Sequence, residues 1–256
     1  MLETDETLTS SLLRPLEDYG FIFMPAPSLG VMLSWAEADW APFAEAWERL
    51  GQDLYMADGG RYRRRRHGAF AVLDGRPRLK PHQPHFQSRD YNPLNGDVQR
   101  WFDPIEEAFV EDPILRSLYA GLTPLFSRLD RRKLSGRWES EVHQFRIEST
   151  PSTVGHPTPE GLHRDGVDWV LVMLVDRKGV AEGTTIIGDG DGKQQGRFTL
   201  SRPGDAVILD DRRIQHGVTP IRTLAGVDFG TRDALVITWS AGKQTEGDRF
   251  PSATPD

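Results

Sequence analysis

Apolar residues recur at helical spacing through the front of the chain and give way to short β-rich runs from about Trp138 onward. Ser10 to Asp18 has the pattern of a short helix that Gly20 stops, and Phe21-Ile22-Phe23-Met24 follows as a strand. Ser34 to Leu50 is helical in pattern, with Ser34 and Glu37 as a capping box and Gly51 as a stop. Pro42 offers a break point there, with Asp39 placed to cap the second piece. Asp112-Pro113 opens another helix, with Asp at the N-cap and Pro in the first turn. Its apolar face carries Ile114, Leu115, Leu118, Leu122 and Leu125, and Pro124 is expected to kink or end it.

The β-rich runs are Val142–Ile147, Trp169–Val175, Thr184–Ile187, Arg197–Leu200, Ala206–Leu209 and Ala234–Trp239. Gly, Pro and Asp separate them, and Ser201-Arg202-Pro203-Gly204-Asp205 is a turn signal. Such spacing predicts an antiparallel sandwich or barrel. No long linker or internal repeat intervenes. The expected organisation is a single α+β domain over 1–256, with a helical front over about 1–137, a β core over about 138–242 and a frayed tail over 243–256.

Composition narrows the chemistry. A hydrophobic fraction of 38% suffices for a substantial core, and a net charge of −7 is the wrong sign for gripping a nucleic-acid backbone. The chain has no cysteine, so disulfides, iron–sulfur clusters and thiolate zinc sites are excluded. A metal would have to sit on His, Asp or Glu. The start, MLETDETLTSSLL, lacks the basic and apolar regions of a secretory signal, and no apolar stretch approaches the roughly 20 residues of a membrane span. These features predict a cytoplasmic protein that binds neither nucleic acid nor membrane.

The segment Gly161-Leu162-His163-Arg164-Asp165-Gly166 places an imidazole and a carboxylate two residues apart. On a strand, residues i and i+2 point to one face. His216 follows the apolar run Ala206–Leu209 and can return from another strand to complete a set of two His and one carboxylate. Bound to one face of an octahedron, that set leaves three positions open, as in non-haem Fe(II) oxygenases. A bare His-x-Asp is common in loops, so the distal His and its β context carry the case. Arg232 begins the last β run, where a guanidinium can pair bidentately with a carboxylate beside the metal.

His163-Arg164-Asp165, His216 and Arg232 together resemble the Fe(II)/2-oxoglutarate dioxygenase superfamily, built on a double-stranded β-helix, a jelly-roll or cupin-like barrel. The string from Pro157 to Asp168 is similar to one bacterial branch, which contains free L-amino-acid (isoleucine-type) hydroxylases and the biofilm- and motility-linked BsmA proteins. Arg232 to Thr238 and Gln87 to Asn92 fit the same branch. The resemblance implies His163, Asp165 and His216 as iron ligands, Arg232 as partner of the distal carboxylate of 2-oxoglutarate, and O₂ as co-substrate. Oxidative decarboxylation would give succinate and CO₂ while a small substrate, an amino acid by this likeness, is hydroxylated. One departure concerns a Gly-Gly-x-Ser/Thr-like stretch after the central strand. Here it reads Ala181-Glu182-Gly183-Thr184-Thr185, with Glu182 where the first glycine is expected.

Other residues carry weaker expectations. The run Arg61-Tyr62-Arg63-Arg64-Arg65-Arg66-His67 is a solvated face or a strand whose alternate arginines greet a substrate carboxylate. His82 and His85 are expected to line a pocket or a loop. Around His143, alternation puts His143, Phe145 and Ile147 on one face and Gln144 and Arg146 on the other. Gln144 is assigned to the co-substrate, and Tyr62, Arg63, Gln87, Asn92 and Asp168 to the substrate. Two other functions stay open at this stage: a cupin-like metal-dependent isomerase or lyase, and a non-catalytic sensor that keeps the fold.

Overall fold

The computed structural model describes residues 12–91, 94, 96–130, 132 and 136–241. Helix α1 over 12–19 leads into β1 (Phe21–Met24), as the pattern predicts. Prolines at 25 and 27 then open α2 (Ala26–Leu33), a helix absent from the sequence reading. Ser34 does not cap a helix start. It ends α2 in the left-handed conformation, at φ 58°. The helix expected over Ser34 to Leu50 is α3 (Glu37–Glu45) followed by a 3₁₀ turn, and Asp39 accepts from the amide of Ala36 at its start. Pro42 lies inside α3 without splitting it, and Pro124 lies inside the later helix α5 in the same way.

The largest revision falls within the helical front. β2 (Arg63–Leu73) is an 11-residue strand embedded in the main sheet. It is followed by β3 (Arg76–Leu79), the two-residue β4 (Asp103–Pro104), α4 (Glu107–Val110) and α5 (Pro113–Leu129), which Asp112 caps at Ile114. A run of arginines hides this strand. Arg64 and Arg66 pair at the surface with Glu148 and Glu106, while Arg63 and Arg65 point inward.

The back half supplies β5 (Arg137–Ser149), β6 (Trp169–Lys178), β7 (Val180–Glu182), β8 (Thr185–Gly188), β9 (Gln194–Phe198), β10 (Ala206–Asp210), β11 (Gln215–Val218), β12 (Ile221–Thr223) and β13 (Gly230–Ser240). The main sheet runs β1-β10-β6-β13-β5-β2-β3, with β4 added beside β2. A second sheet runs β11-β8-β9, and β12 pairs with β7. All pairings are antiparallel except β4 with β2. The architecture is thus mixed helix and mostly antiparallel sheet.

Period-two alternation gives the main sheet two different faces. Leu171 and Met173 of β6, with Leu235, Ile237 and Trp239 of β13, pack against Leu118, Leu122 and Phe126 of α5. Phe126 stacks on Trp169 at 4.8 Å, and buried Trp239 donates its indole N–H to Thr123. Truncating one such aromatic typically costs about 3–5 kcal/mol. On the other face, Val170, Val172 and Leu174 meet Ile187 of the second sheet. Toward the β5 end this inner face opens into a cavity of about 310 Å³, lined by β2, β5, β13 and β11.

Candidate active site

β11 carries His216 opposite Ile187 of β8. The segment at His163 lies alongside β11, and His163 and His216 exchange two backbone hydrogen bonds of 3.0 and 2.9 Å. Their rings stand 4.6 Å apart. Gly217 permits this approach, because a Cβ there would sit 2.8 Å from the Gly161 carbonyl. Beyond His163 the chain is a loop rather than the expected strand. Asp211 holds that loop: its Oδ1 accepts from the amide of Asp165 (3.0 Å), and its Oδ2 from those of Gly166 (2.8 Å) and Val167 (3.1 Å). Gln87 donates its side-chain amide to the Asp165 carbonyl at 3.1 Å.

The result is a convergent donor set. Nε2 of His163 lies 3.6 Å from Asp165 Oδ1, and Nε2 of His216 lies 3.7 Å from Asp165 Oδ2. The three possible ligand atoms fall within 4.8 Å of one another. His163 places Nδ1 3.1 Å from the Gly161 carbonyl, which can only accept, so in the neutral ring Nδ1 carries the proton and Nε2 the inward lone pair. Metal-bound histidines show that arrangement, the outer N–H going to a carbonyl or carboxylate. Burial opposes charge on His163, but Asp165 and Glu160 outweigh it and raise its pKa to about 9. Burial and the charge of His163 bring His216 down to about 4. Asp165, although buried, is held well below the carboxylate range by the two imidazoles.

Arg232, the third residue of β13, is 2% exposed and lines the cavity. Its Nε and Nη2 have no hydrogen-bond partner in the protein. Burial and the nearby Arg177 guanidinium lower its pKa to about 10. An unpaired buried guanidinium is costly, so the arrangement calls for an anionic ligand. Gly183 packs beside it, and a Cβ there would meet the Arg232 Cδ at 3.5 Å and Ile221 at 2.9 Å. Glu182, standing where a glycine is expected, has φ 64°, the left-handed conformation that glycine favours.

A second group of possible ligands, His67, His85, Glu141 and His143, lies at the other end of the cavity, which all but His67 line. Glu141 Oε2 lies 2.8 Å from His85 Nδ1 and 3.4 Å from His143 Nε2, and its Oε1 lies 3.5 Å from His67 Nε2. Here the tautomer is reversed. Arg65, which can only donate, bonds His143 Nδ1 at 2.7 Å, so the proton of neutral His143 sits on Nε2, facing Glu141. This group is a cage of imidazoles around a carboxylate and offers no inward lone pair at His143. Burial keeps His85 near pKa 4 and His143 well below its usual value. Glu141, despite burial, is held well below the carboxylate range by the three imidazoles.

The remaining sequence-predicted residues divide. Arg63 and Gln87 line the cavity, but Arg63 is fixed to buried Asp53 at 2.7 Å. Tyr62 does not reach the cavity: it packs with Met56, Ile147, Val180 and Ile221 and donates to Asp58. Gln144 is buried on the helix-facing side of β5, because the cavity-facing side belongs to His143 and Phe145. Asp168 is occupied by Arg132 and by the amide of Ala241, away from the cavity. Asn92 lies outside the described residues. Sequence reasoning missed Asp211, Arg100 and Glu141. Alternation along β5 could have found Glu141, which shares the face of His143 and Phe145.

A cavity lined by a two-His, one-Asp donor set and a buried, unpaired arginine defines a mononuclear metal oxygenase site that takes an anionic co-substrate. A family model for 2OG-Fe dioxygenases matches residues 44–238, and the chain belongs to that family. Members of that family use Fe(II), 2-oxoglutarate and O₂. The chain is 24% identical over 157 residues to an L-isoleucine-4-hydroxylase of Bacillus thuringiensis, covering 61% of this chain and 65% of that protein. It is 23% identical over 165 residues to a 3(1)-hydroxy-L-isoleucine 4-dioxygenase of Pantoea ananatis, covering 63% and 65%. The match thus spans slightly less than two thirds of either curated relative. A crystal structure of a BsmA homologue from Methylobium petroleophilum superposes with TM-score 0.83 at 38% identity, over 91% of this chain and 93% of that one. Family membership weighs against the isomerase or lyase alternative. No helix among the described residues is long and apolar enough to cross a membrane.

Proposed function

We propose that this enzyme hydroxylates a free L-amino acid or a similarly small polar molecule. The observation that carries the reading is the shared cavity: the triad, the unpaired Arg232 and a second polar wall all face one space of about 310 Å³. That volume suits a small molecule. The names of the isoleucine-hydroxylating relatives support the amino-acid class. In this reading the main and second sheets are the walls of a double-stranded β-helix, and the chain is a single catalytic domain in the cytoplasm. The BsmA likeness extends it to a biofilm-linked role, which a deletion strain scored for biofilm mass would test.

The residues have distinct duties. His163, Asp165 and His216 would hold Fe(II) from one side, leaving positions for co-substrate and O₂. Iron, when bound, supplies the coupling of 2-oxoglutarate decarboxylation to oxygen insertion, with succinate, CO₂ and a hydroxylated product as outcome. Arg232 would bind the distal carboxylate of 2-oxoglutarate and so orient its other end. Asp211 and Gln87 keep the Asp165 loop in place. Val172, Val218 and Val236 narrow the cavity and limit water.

A succinate-release screen over the proteinogenic amino acids tests the proposal. Turnover that rises with one or a few of them is expected, and a flat response across the panel would refute the substrate class. Arg232→Met should raise the KM for 2-oxoglutarate about 10- to 100-fold, the value of a charge-assisted bond. An unchanged KM would move that role to another residue.

A further inference from the structure

The same sheet face that carries Arg232 continues, along β5 and β2, into polar groups that neither the iron nor 2-oxoglutarate uses. Along the inner face of β5, Ile147 is in register with Arg232 and Arg63, Phe145 with Arg65, His143 with His67, and Glu141 with Ala69. Each two-residue step advances roughly 7 Å. Glu141 therefore sits three steps from the Arg232 row, and the Arg65 row lies between.

Two guanidiniums on this wall are incompletely paired. Arg100 is 2% exposed, lines the cavity, and leaves Nε and Nη2 without partners. Arg65 is clamped between the rings of Phe102, at 3.7 Å, and Phe145, at 4.5 Å, and its Nε is likewise unpartnered. Asp53 does not complete them: its carboxylate is 2.7 Å from Arg63 but 3.9 Å from Arg65. Beside these cations stands an accessible anion that is held by imidazoles and not by a lysine or arginine. The Glu141 side chain is 31% exposed, and the imidazoles around it fix it in place. Arg100 and Glu141 are joined through His85, which exchanges two 3.0 Å backbone bonds with Arg100 and bonds Glu141 by its ring.

The charges of this wall balance. Arg63, Arg65 and Arg100 face Asp53, Glu141 and Glu160. The unmet requirement is directional: a planar acceptor for guanidinium N–H groups, and a cation for the exposed edge of Glu141. A dicarboxylate would set an anion against Glu141. A simple amine would leave Arg100 unpaired. An overall-neutral zwitterion answers both.

We propose that Arg100, with Arg65 behind it, and Glu141 form the receptor for an unblocked, net-neutral α-amino acid, the guanidinium taking its carboxylate and Glu141 its ammonium. This rests on the amino-acid reading above and adds which groups read the two charged ends. The side chain of the substrate is then free to extend along the cavity toward the triad.

The test is calorimetric binding, under anaerobic conditions, of each proteinogenic L-amino acid to enzyme loaded with Fe(II) and 2-oxoglutarate. For the tightest binder, the carboxamide and the N-acetyl derivative are compared on wild-type protein, which removes one charge at a time without any substitution. Each is expected to bind at least about tenfold more weakly, the value of a lost charge-assisted pair. Arg100→Met should then erase the preference for acid over amide, and Glu141→Gln the preference for free over acetylated amine. The Kd for 2-oxoglutarate, read on the same samples, reports that each variant is folded. If an amino acid binds but its amide and N-acetyl forms bind equally well, this receptor is wrong and the amino-acid reading survives. If no amino acid binds while 2-oxoglutarate does, both fall.

Discussion

Two clusters of histidine and carboxylate face the same cavity, and one proton position separates their chemistry. At His163 the outer ring nitrogen meets the Gly161 carbonyl, an acceptor, so the neutral ring keeps its proton there and leaves the inner nitrogen for a metal. At His143 the outer nitrogen meets the Arg65 guanidinium, a donor, so the inner nitrogen carries the proton. In the reading proposed above, the first cluster takes a cation and the second holds an anion still. Ligand types and spacing alone would have scored the second cluster higher, with three imidazoles against two. What lies behind each ring decides.

The largest expected effect tests that contrast directly. His163→Ala or His216→Ala should abolish stoichiometric iron binding, whereas His67→Ala and His143→Ala should each keep one iron per chain, measured by metal analysis after dialysis. Iron retained in both triad variants, or lost from both cage variants, would reverse the assignment. Asp211→Ala comes next. It frees three loop amides and should weaken iron binding about 10- to 100-fold with the ligands intact. An unaltered iron Kd would show that the loop holds itself.

Protons should move the stability of the metal-free protein in opposite senses at His163 and at His85. His163 has a folded pKa raised from 6.5 to about 9. Its contribution is complete below pH 6.5 and is lost as pH rises through 9. His85 has a folded pKa lowered from 6.5 to about 4, so the unfolded chain takes up the proton first. Its effect is destabilisation as pH falls from 6.5 toward 4, on the order of 3 kcal/mol. Urea midpoints from pH 7 to 4.5 should therefore fall less steeply for His85→Gln than for wild type. Parallel slopes would mean that His85 charges freely in the folded state. The smallest effect concerns Glu182. Relieving its left-handed backbone by Glu182→Gly should stabilise the protein by about 1 kcal/mol or less, visible as a small rise in Tm. A fall in Tm would show that the Glu182 side chain makes a compensating contact.

The sequence alone went far where side chains act through local pattern. β6, β10 and β13 were legible as apolar runs between turn residues, and Asp112 marked the start of α5. The convergence of His163, Asp165 and His216 on one cavity with Arg232 was foreseen as well, from residue type and family-like strings. Elements under tertiary control were not. The arginine run around β2 left a solvated face and a strand both open, and pairing with β5 and burial against Asp53 decide for the strand. Ser34 carries a helix-start signal, yet the chain reverses there and uses it to end α2. Gln144, Tyr62 and Asp168 were assigned to the cavity by proximity in sequence, and the facing of β5, an apolar cluster and Arg132 took them elsewhere. A residue's chemistry is a local property and can be read in order along the chain. Its protonation, and the face it presents, depend on partners dozens of positions away: Arg65 for His143, Asp211 for Asp165.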